Sequence, residues 1–372
     1  MTEIYLIRHT QAEGNRYRMM QGFWDGGVTD LGKKQIEALE ERFRDFPMDA
    51  VYSSDLKRAV MTAEAVARRD GGPIRTSRQL REINIGPWEK KFFGNVCHET
   101  PDLANTFMYD AENWQMDGAE TYAQVRDRAL AELKKIAREN DGKRIAVISH
   151  GVTIRCLLWA ITGIPLADVN AMPISRNTAV SKLIWDGESF HAEYLNDASH
   201  LPLSAQTSWS TAGDVRDEPL DPARDRVYYE ACYEDAWCFS HGSLKGYSPD
   251  VYFQAAKQHL HEMPGSVMRL YHGDEPVGLI DLDPKRGAED KAGWISLLYL
   301  KEEYRNKGYG IQALARPIFF YKALGRHALR LQVAEANVLA CTFYRREGFR
   351  VTGEQLGVSG RLFLMERKLE MN

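Results

Sequence analysis

The chain has 372 residues, is 44% hydrophobic, and sets 48 Lys and Arg against 52 Asp and Glu for a net charge of −4. That length exceeds one ordinary domain, so two are expected. The balance excludes a basic field for nucleic acid or an anionic membrane surface, and no apolar run reaches a membrane span.

The opening MTEIYLIRHT has no basic stretch followed by a long apolar one, so no secretory leader is expected. Five scattered cysteines (Cys97, Cys156, Cys232, Cys238, Cys341) read as reduced thiols of a cytoplasmic protein. Cys232 and Cys238 lack paired ligands, and no metal site is expected.

In chain order, residues 4–7 predict a strand buried on both faces, ending at Arg8 and His9. Ligands bind at the carboxyl ends of strands in open α/β sheets. A guanidinium there can fork onto a phosphate dianion, and a neutral imidazole can attack phosphorus. After an irregular stretch to Val28, residues 31–43 predict a helix with Ile36, Leu39 and Phe43 on one face, capped by Thr29 or Asp30. A short strand at 50–52 leads through Ser53-Ser54-Asp55 into a helix carrying Arg58 near its start. Glu82 lies in LREINIGPWE, just before a glycine turn. A helix at 121–138 precedes a buried strand at 144–149, which runs into His150-Gly151 and a helix ended by Gly163. Residues 179–185 and 190–194 predict a strand pair turning at Asp186-Gly187.

Four separated segments thus place Arg8, His9, Arg58, Glu82 and His150 at strand ends or helix starts. Two arginines, a second histidine and helix-start amides suit a phosphoryl group, with His9 as nucleophile and Glu82 as proton donor. The segments LIRHTQAEGN, VTDLGKKQ, VYSSDLKRAVMTAE, LREINIGPWE, GAETYAQVRDR and VISHGVTIR, in that order, resemble the histidine phosphatases, the phosphoglycerate mutase-like superfamily. The resemblance covers about 1–200. It implies a three-layer α/β/α fold with a mostly parallel sheet and a phosphohistidine on His9. It further implies a phosphate pocket of Arg8, Arg58 and His150, with Asn15 as a further contact, Glu82 as acid and base, and Gln21 and Glu120 near the substrate mouth. Thr10 stands where the family usually has Gly and Met19 where many members have Arg; crowding near the phosphate and altered substrate contacts are the expected consequences. The short 82–150 spacing resembles the phosphatases more than the mutases, by analogy.

Residues 201–225, rich in Pro, Ser, Thr and Asp, read as a linker between domains 1–200 and 226–372. Beyond it, residues 248–261 predict a helix, 267–271 and 277–281 strands, and 294–300 a strongly apolar strand. A loop at 305–310 opens a helix to about Leu324, followed by a strand at 328–333, a helix at 338–346 and a strand at 362–367. Glycines in Arg305-Asn306-Lys307-Gly308-Tyr309-Gly310 let successive N–H groups turn toward one anion, which suits a pyrophosphate.

LYLKEEYRNKGYG (298–310) and LRLQVAEANVLACTFYRREGF (329–349) together resemble a GNAT-type N-acetyltransferase over about 226–370. The resemblance implies an α+β domain with a mixed, mostly antiparallel sheet, and acetyl-CoA lying in a splay between two strands. Leu298 and Leu300 would border the pantetheine, backbone amides of 305–311, through Ile311, would hold the pyrophosphate, Asn337 would contact the cofactor, and Tyr344 would protonate the departing thiolate. Asp281, Asp283, Glu302 and Glu335 all remain candidates for the amine's base. The combined expectation is a bifunctional cytoplasmic enzyme acting on a small phosphorylated substrate and, with acetyl-CoA, on an amine, without nucleic-acid or membrane partners. An acyl-CoA sensor in the second half and a mutase in the first are the alternatives.

Overall fold

The computed structural model describes all residues except 68–71, 173–174, 207–212, 358–359 and 372. The chain divides into two compact units, 1–209 and 210–371. The first runs β1 (Thr2–Arg8), α1 (Glu13–Tyr17), α2 (Asp30–Phe43), β2 (Ala50–Ser54), α3 (Lys57–Ala67), β3 (Arg75–Ser77), α4 (Phe93–Glu99), α5 (Pro101–Tyr109), α6 (Tyr122–Glu139), β4 (Arg144–Ser149), α7 (Gly151–Thr162), β5 (Val180–Trp185) and β6 (Phe190–Asp197).

Its sheet has the order β3-β2-β4-β1-β5-β6; the first four strands are parallel and the last two join antiparallel. The near-continuous apolar run of β1 follows from cover on both faces. Ile4 and Leu6 pack with Leu133, Ile136 and Leu157 of α6 and α7. Tyr5 and Ile7 pack with Leu39, Phe43 and Ala63 of α2 and α3. Thr29 caps α2 by accepting from the Gly32 amide, and Thr121 and Gln124 form a capping box at the start of α6.

Two glycines permit close approaches at the carboxyl end of this sheet. A Cβ at Gly32 would run into the Gln11 carbonyl, and one at Gly151 would stand 3.3 Å from the Arg8 guanidinium carbon.

The second unit runs β7 (Val215–Pro219), α8 (Arg226–His241), α9 (Pro249–Glu262), β8 (Val267–His272), β9 (Glu275–Asp283), β10 (Ala292–Leu300), α10 (Tyr309–Ala323), β11 (Ala328–Ala334), α11 (Val338–Arg346), β12 (Arg350–Gly357) and β13 (Gly360–Lys368). The sheet order is β12-β13-β11-β10-β9-β8-β7, and β10 with β11 is its one parallel pair. That pair is joined only from Ala292↔Ala328 to Ile295↔Leu331; beyond Ile295 the strands part, and β10 shifts register against β9 at the same point. Ser296, Leu297 and Leu298 are consequently half-buried although β10 is an interior strand.

The stretch read as linker, 201–225, is partly sheet: β7 lies within it. Gln312 and Arg316 of α10 hold this strand. Gln312 accepts from the Val215 amide at 2.9 Å and donates to the Gly213 carbonyl at 3.1 Å; Arg316 donates to the Val215 carbonyl at 2.6 Å. Among the described residues, no helix is long and apolar enough to cross a membrane.

Gly32→Ala should destabilise the first unit by about 1–3 kcal/mol, because overlap with a backbone carbonyl outweighs the roughly 1 kcal/mol that Ala gains over Gly in a helix. Urea unfolding of the full chain checks this; an unchanged or higher midpoint would show that loop 10–11 yields freely.

Candidate active sites

In the first unit, β1 and β4 end side by side and deliver His9 and His150 with ring centroids 4.9 Å apart. His9 Nδ1 donates to the Thr10 carbonyl at 2.6 Å, which leaves the lone pair on Nε2. Burial, then the neighbouring Arg58 and Arg8, hold His9 well below its ordinary imidazole range. Burial and Arg58 do the same to His150, so both rings are neutral at pH 7. His150 is fully buried, and among the described residues neither of its ring nitrogens has a hydrogen-bond partner.

Two arginines act on both rings. Arg8 donates to the Ser175 carbonyl, and among the described residues its buried Nε has no partner. Arg58, fully buried in the first turn of α3, donates to the Gly22 and Trp24 carbonyls at 2.8 and 2.9 Å, again with an unpartnered Nε. Burial lowers both guanidiniums to about 10, and Glu82 is the strongest opposing influence on each. Glu89 sets the loop that receives Arg58, accepting from the Gly22, Phe23 and Trp24 amides. Two buried cations beside two neutral imidazoles form a cradle suited to a dianion.

The Glu82 carboxylate accepts from the Val152 and Thr153 amides at 3.1 Å, at the N-terminus of α7 two residues past His150. Its loop is held by Arg128, which donates to the Gln79, Arg81 and Glu82 carbonyls and clamps Glu120 with two N–H bonds. Glu120 also accepts from the Asn84 amide at 2.8 Å. Its carboxylate thereby braces the Glu82 loop. Asn15 accepts from the Ala12 amide at 3.0 Å, while the Gln21 side-chain amide nitrogen is buried without a partner.

At the two departures from the family pattern, the Thr10 hydroxyl donates to the Gly32 carbonyl at 2.6 Å, and Met19 is buried with its backbone bridged to that of Phe92.

Sequence reasoning missed Arg128 and Asn177. Asn177 Nδ2 donates to the His9 carbonyl at 2.9 Å. Its neighbour Thr178 adopts φ 58°, a strained value for a β-branched residue. His200 Nε2 meets the Thr178 hydroxyl at 3.2 Å and Arg42 backs His200 at 3.1 Å, so a half-buried network holds the strain that aims Asn177. A motif search finds no signal for this, because the partners lie 22 and more residues apart.

In the second unit, loop 301–308 turns at Asn306 (φ 58°) and Gly308 (φ 90°) into α10, whose start no side chain caps. Gly310 faces Phe343 of α11, 3.2 Å from where a Cβ would stand. Tyr309 is buried against His272 and Tyr304, Ile311 is half-buried, and Lys307 is exposed. Arg305 donates to the Leu300 carbonyl at 2.8 Å. Leu298 is half-buried at the parted strands and Leu300 is buried. Asn337 caps α11 through the Ala340 amide at 3.0 Å and also donates to Ser240 at 3.3 Å, a structural duty beside the expected cofactor contact. Tyr344 is buried among Phe343 and Phe349; burial pushes its phenol up, and among the described residues its hydroxyl has no partner.

The four carboxylates considered as the amine's base differ in their surroundings. Asp281 is buried against Tyr229 and His259, each at 2.7 Å, and Asp283 caps the turn at Lys285. Glu302 and Glu335 are exposed, Glu335 beside Arg361.

Comparison with known proteins divides the chain at the same place. Residues 4–198 match the model of the histidine phosphatase superfamily (branch 1), and residues 229–349 that of the acetyltransferase (GNAT) family. A curated relative, "Probable phosphoglycerate mutase GpmB" of Salmonella choleraesuis, is 29% identical over 210 residues, 55% of this chain and 97% of its own. Among solved structures, Bacillus stearothermophilus YhfR is 30% identical with a TM-score of 0.53, covering 54% of this chain and 99% of its own. The chain belongs to the histidine phosphatase superfamily through its first unit and carries a GNAT domain as its second.

Proposed function

We propose that the first unit hydrolyses a small phosphomonoester through a phosphoryl group carried on His9. The observation that carries this reading is the His9 Nδ1 bond to the Thr10 carbonyl, which presents a neutral Nε2 beside a buried, unpartnered His150. Nε2 attacks phosphorus as the ester P–O bond breaks; Arg8, Arg58 and His150 bind the three equatorial oxygens, and the leaving oxygen takes its proton from Glu82. Water then displaces the phosphoryl group with Glu82 as base. Asn15 and Gln21 contact the rest of the substrate. The relative called a probable phosphoglycerate mutase favours one second reading: isomerisation of a phosphoglycerate in place of phosphate release.

The second unit is proposed to transfer an acetyl group from acetyl-CoA to an amine, which makes the chain a bifunctional cytoplasmic enzyme. Bound acetyl-CoA supplies the acetyl group as an activated thioester. The parted β10 and β11, with half-buried Ser296–Leu298, and the positive φ at Gly308 suit it. Backbone amides of Arg305, Asn306, Lys307, Gly308, Tyr309, Gly310 and Ile311 would hold the pyrophosphate, Leu298 and Leu300 would border the pantetheine, and Tyr344 would give up a proton to sulfur.

His9→Ala should abolish aryl phosphate hydrolysis. It should also flatten the acid loss of stability. The folded state holds His9 below its ordinary value, so the unfolded chain binds more protons below about pH 6.5. Stability is therefore full above pH 6.5 and declines as pH falls beneath it. Urea midpoints at pH 7.5 and 5 read this; full hydrolysis by His9→Ala would remove the nucleophile assignment.

Gly308→Val should weaken acetyl-CoA binding more than about tenfold, since a side chain at φ 90° is strained and blocks a close anion approach. Tyr344→Phe should bind normally and transfer slowly. Titration calorimetry on the full chain separates these; wild type that binds acetyl-CoA but turns nothing over supports the sensor alternative.

A further inference from the structure

Resting on the phosphohistidine reading, we propose that Asn177 is a positioning residue for the nucleophile. It fixes the His9 backbone relative to Arg8, and a hydrogen-bonded relay from Arg42 through His200 and Thr178 keeps it in place. The nucleophile is then aimed by the turn that enters β5 as well as by the strand that carries it.

The ladder between β1 and β5 ends at Ile7↔Val180. Just past it, one short segment grips both Arg8 and His9. The Ala179 carbonyl accepts from the Arg8 amide at 3.1 Å, and the Thr178 amide donates to the Arg8 carbonyl at 3.1 Å. Two residues thus oppose one, a β-bulge whose first residue, Thr178, is left-handed at φ 58°. The Ser175 carbonyl accepts from the Arg8 guanidinium, and Asn177 Nδ2 donates to the His9 carbonyl at 2.9 Å. A carbonyl can only accept, so the amide's nitrogen must face His9. That carbonyl belongs to the peptide joining His9 to Thr10, whose own carbonyl takes the His9 Nδ1 proton. Asn177 therefore fixes the link between the nucleophilic ring and the acceptor that sets its tautomer. The same Nδ2 lies 3.5 Å from Asn15 Oδ1, so one amide stands beside both the nucleophile's backbone and a group assigned to the substrate.

Each donor in the relay has one possible direction. A guanidinium has no acceptor, so Arg42 Nη1 donates to His200 Nδ1 at 3.1 Å, which leaves the ring proton on Nε2. Nε2 donates to the Thr178 hydroxyl at 3.2 Å, and that hydroxyl donates to the Asn177 carbonyl at 2.8 Å. Burial, then Arg42, push His200 down to about 4, so the ring is neutral at pH 7 and keeps this direction. Arg42 is itself held on β6, by Asp197 at 2.7 Å and the Tyr194 hydroxyl at 3.2 Å. A turn alone does not call for threonine here, since glycine reaches φ 58° without strain. What the strained threonine adds is a hydroxyl that ties the Asn177 peptide to His200 while the Asn177 side chain reaches His9.

The test follows phosphoryl transfer to His9 in the full chain by rapid quench with radiolabelled para-nitrophenyl phosphate. Asn177→Ala should slow that transfer about 10- to 100-fold, the effect of misplacing a reacting group by up to an ångström. Inorganic phosphate meets the arginines but not the His9 backbone, so its inhibition constant should stay within about threefold of wild type. His200→Ala should slow transfer by about 3- to 10-fold, and His200→Gln, whose amide keeps a donor for the Thr178 hydroxyl, should regain part of the rate. Urea unfolding checks that each variant is folded. Transfer by Asn177→Ala within about threefold of wild type would overturn the proposal. So would a slower rate matched by an equal loss of phosphate affinity, which marks a collapsed cradle. If Asn177→Ala shows no urea transition, the His200 pair decides. Transfer by His200→Ala equal to wild type overturns the proposal, and slowed transfer partly regained in His200→Gln upholds it. Wild type that hydrolyses the ester with no phosphate on His9 removes the phosphohistidine reading itself, and this proposal with it.

Discussion

The first unit depends on the burial of two guanidinium groups beside two neutral imidazoles. Removing such charges from water is costly unless they are paired and hydrogen-bonded. Carbonyls of Ser175, Gly22 and Trp24, and the nearby Glu82, meet part of that demand. The remaining unpartnered nitrogens on Arg8, Arg58 and His150 converge where β1 and β4 end. Burial, and after it the same positive field, holds both histidines well below the ordinary imidazole range, so one arrangement suits an anion and leaves the imidazoles neutral.

Supporting layers aim that arrangement. Glu89 shapes the loop that Arg58 grips, Arg128 and Glu120 brace the Glu82 segment, and the strained Thr178 directs Asn177 to the His9 backbone. Backbone strain beside a reactive group persists when its surroundings over-determine it, and His200 with Arg42 does so here. The second unit relies instead on a partial failure of pairing: β10 and β11 separate after Ile295 and leave a central strand half-buried. That opening, together with the glycine turn before α10, suits an extended cofactor.

Much of this was legible in the sequence, for identifiable reasons. The strand before Arg8 is apolar at successive positions because α2, α3, α6 and α7 cover both its faces, and the caps at Thr29 and Thr121 are local signals. Arg8, His9, Arg58 and His150 could be read because each ends or begins an element whose period is strong, whereas Glu82 lies in a loop and stood out only by the resemblance of its segment. β7 could not: of VRDEP only Val215 is apolar, and its strand character comes from Gln312 and Arg316 far along the chain. β12 is mostly exposed, which removes the alternation that marks a strand. Glu120 and Asn177 are ordinary polar residues whose meaning lies in partners brought near only by folding.

The central claim is that His9 is the atom through which phosphate passes. The most direct measurement is to mix the full chain with a radiolabelled aryl phosphate, quench within milliseconds in alkali, and locate the label. The account predicts an acid-labile, alkali-stable phosphoryl group on the peptide containing His9, formed and lost at rates that sustain turnover. Label on another residue, or steady turnover with no phosphorylated protein at any time, would contradict it.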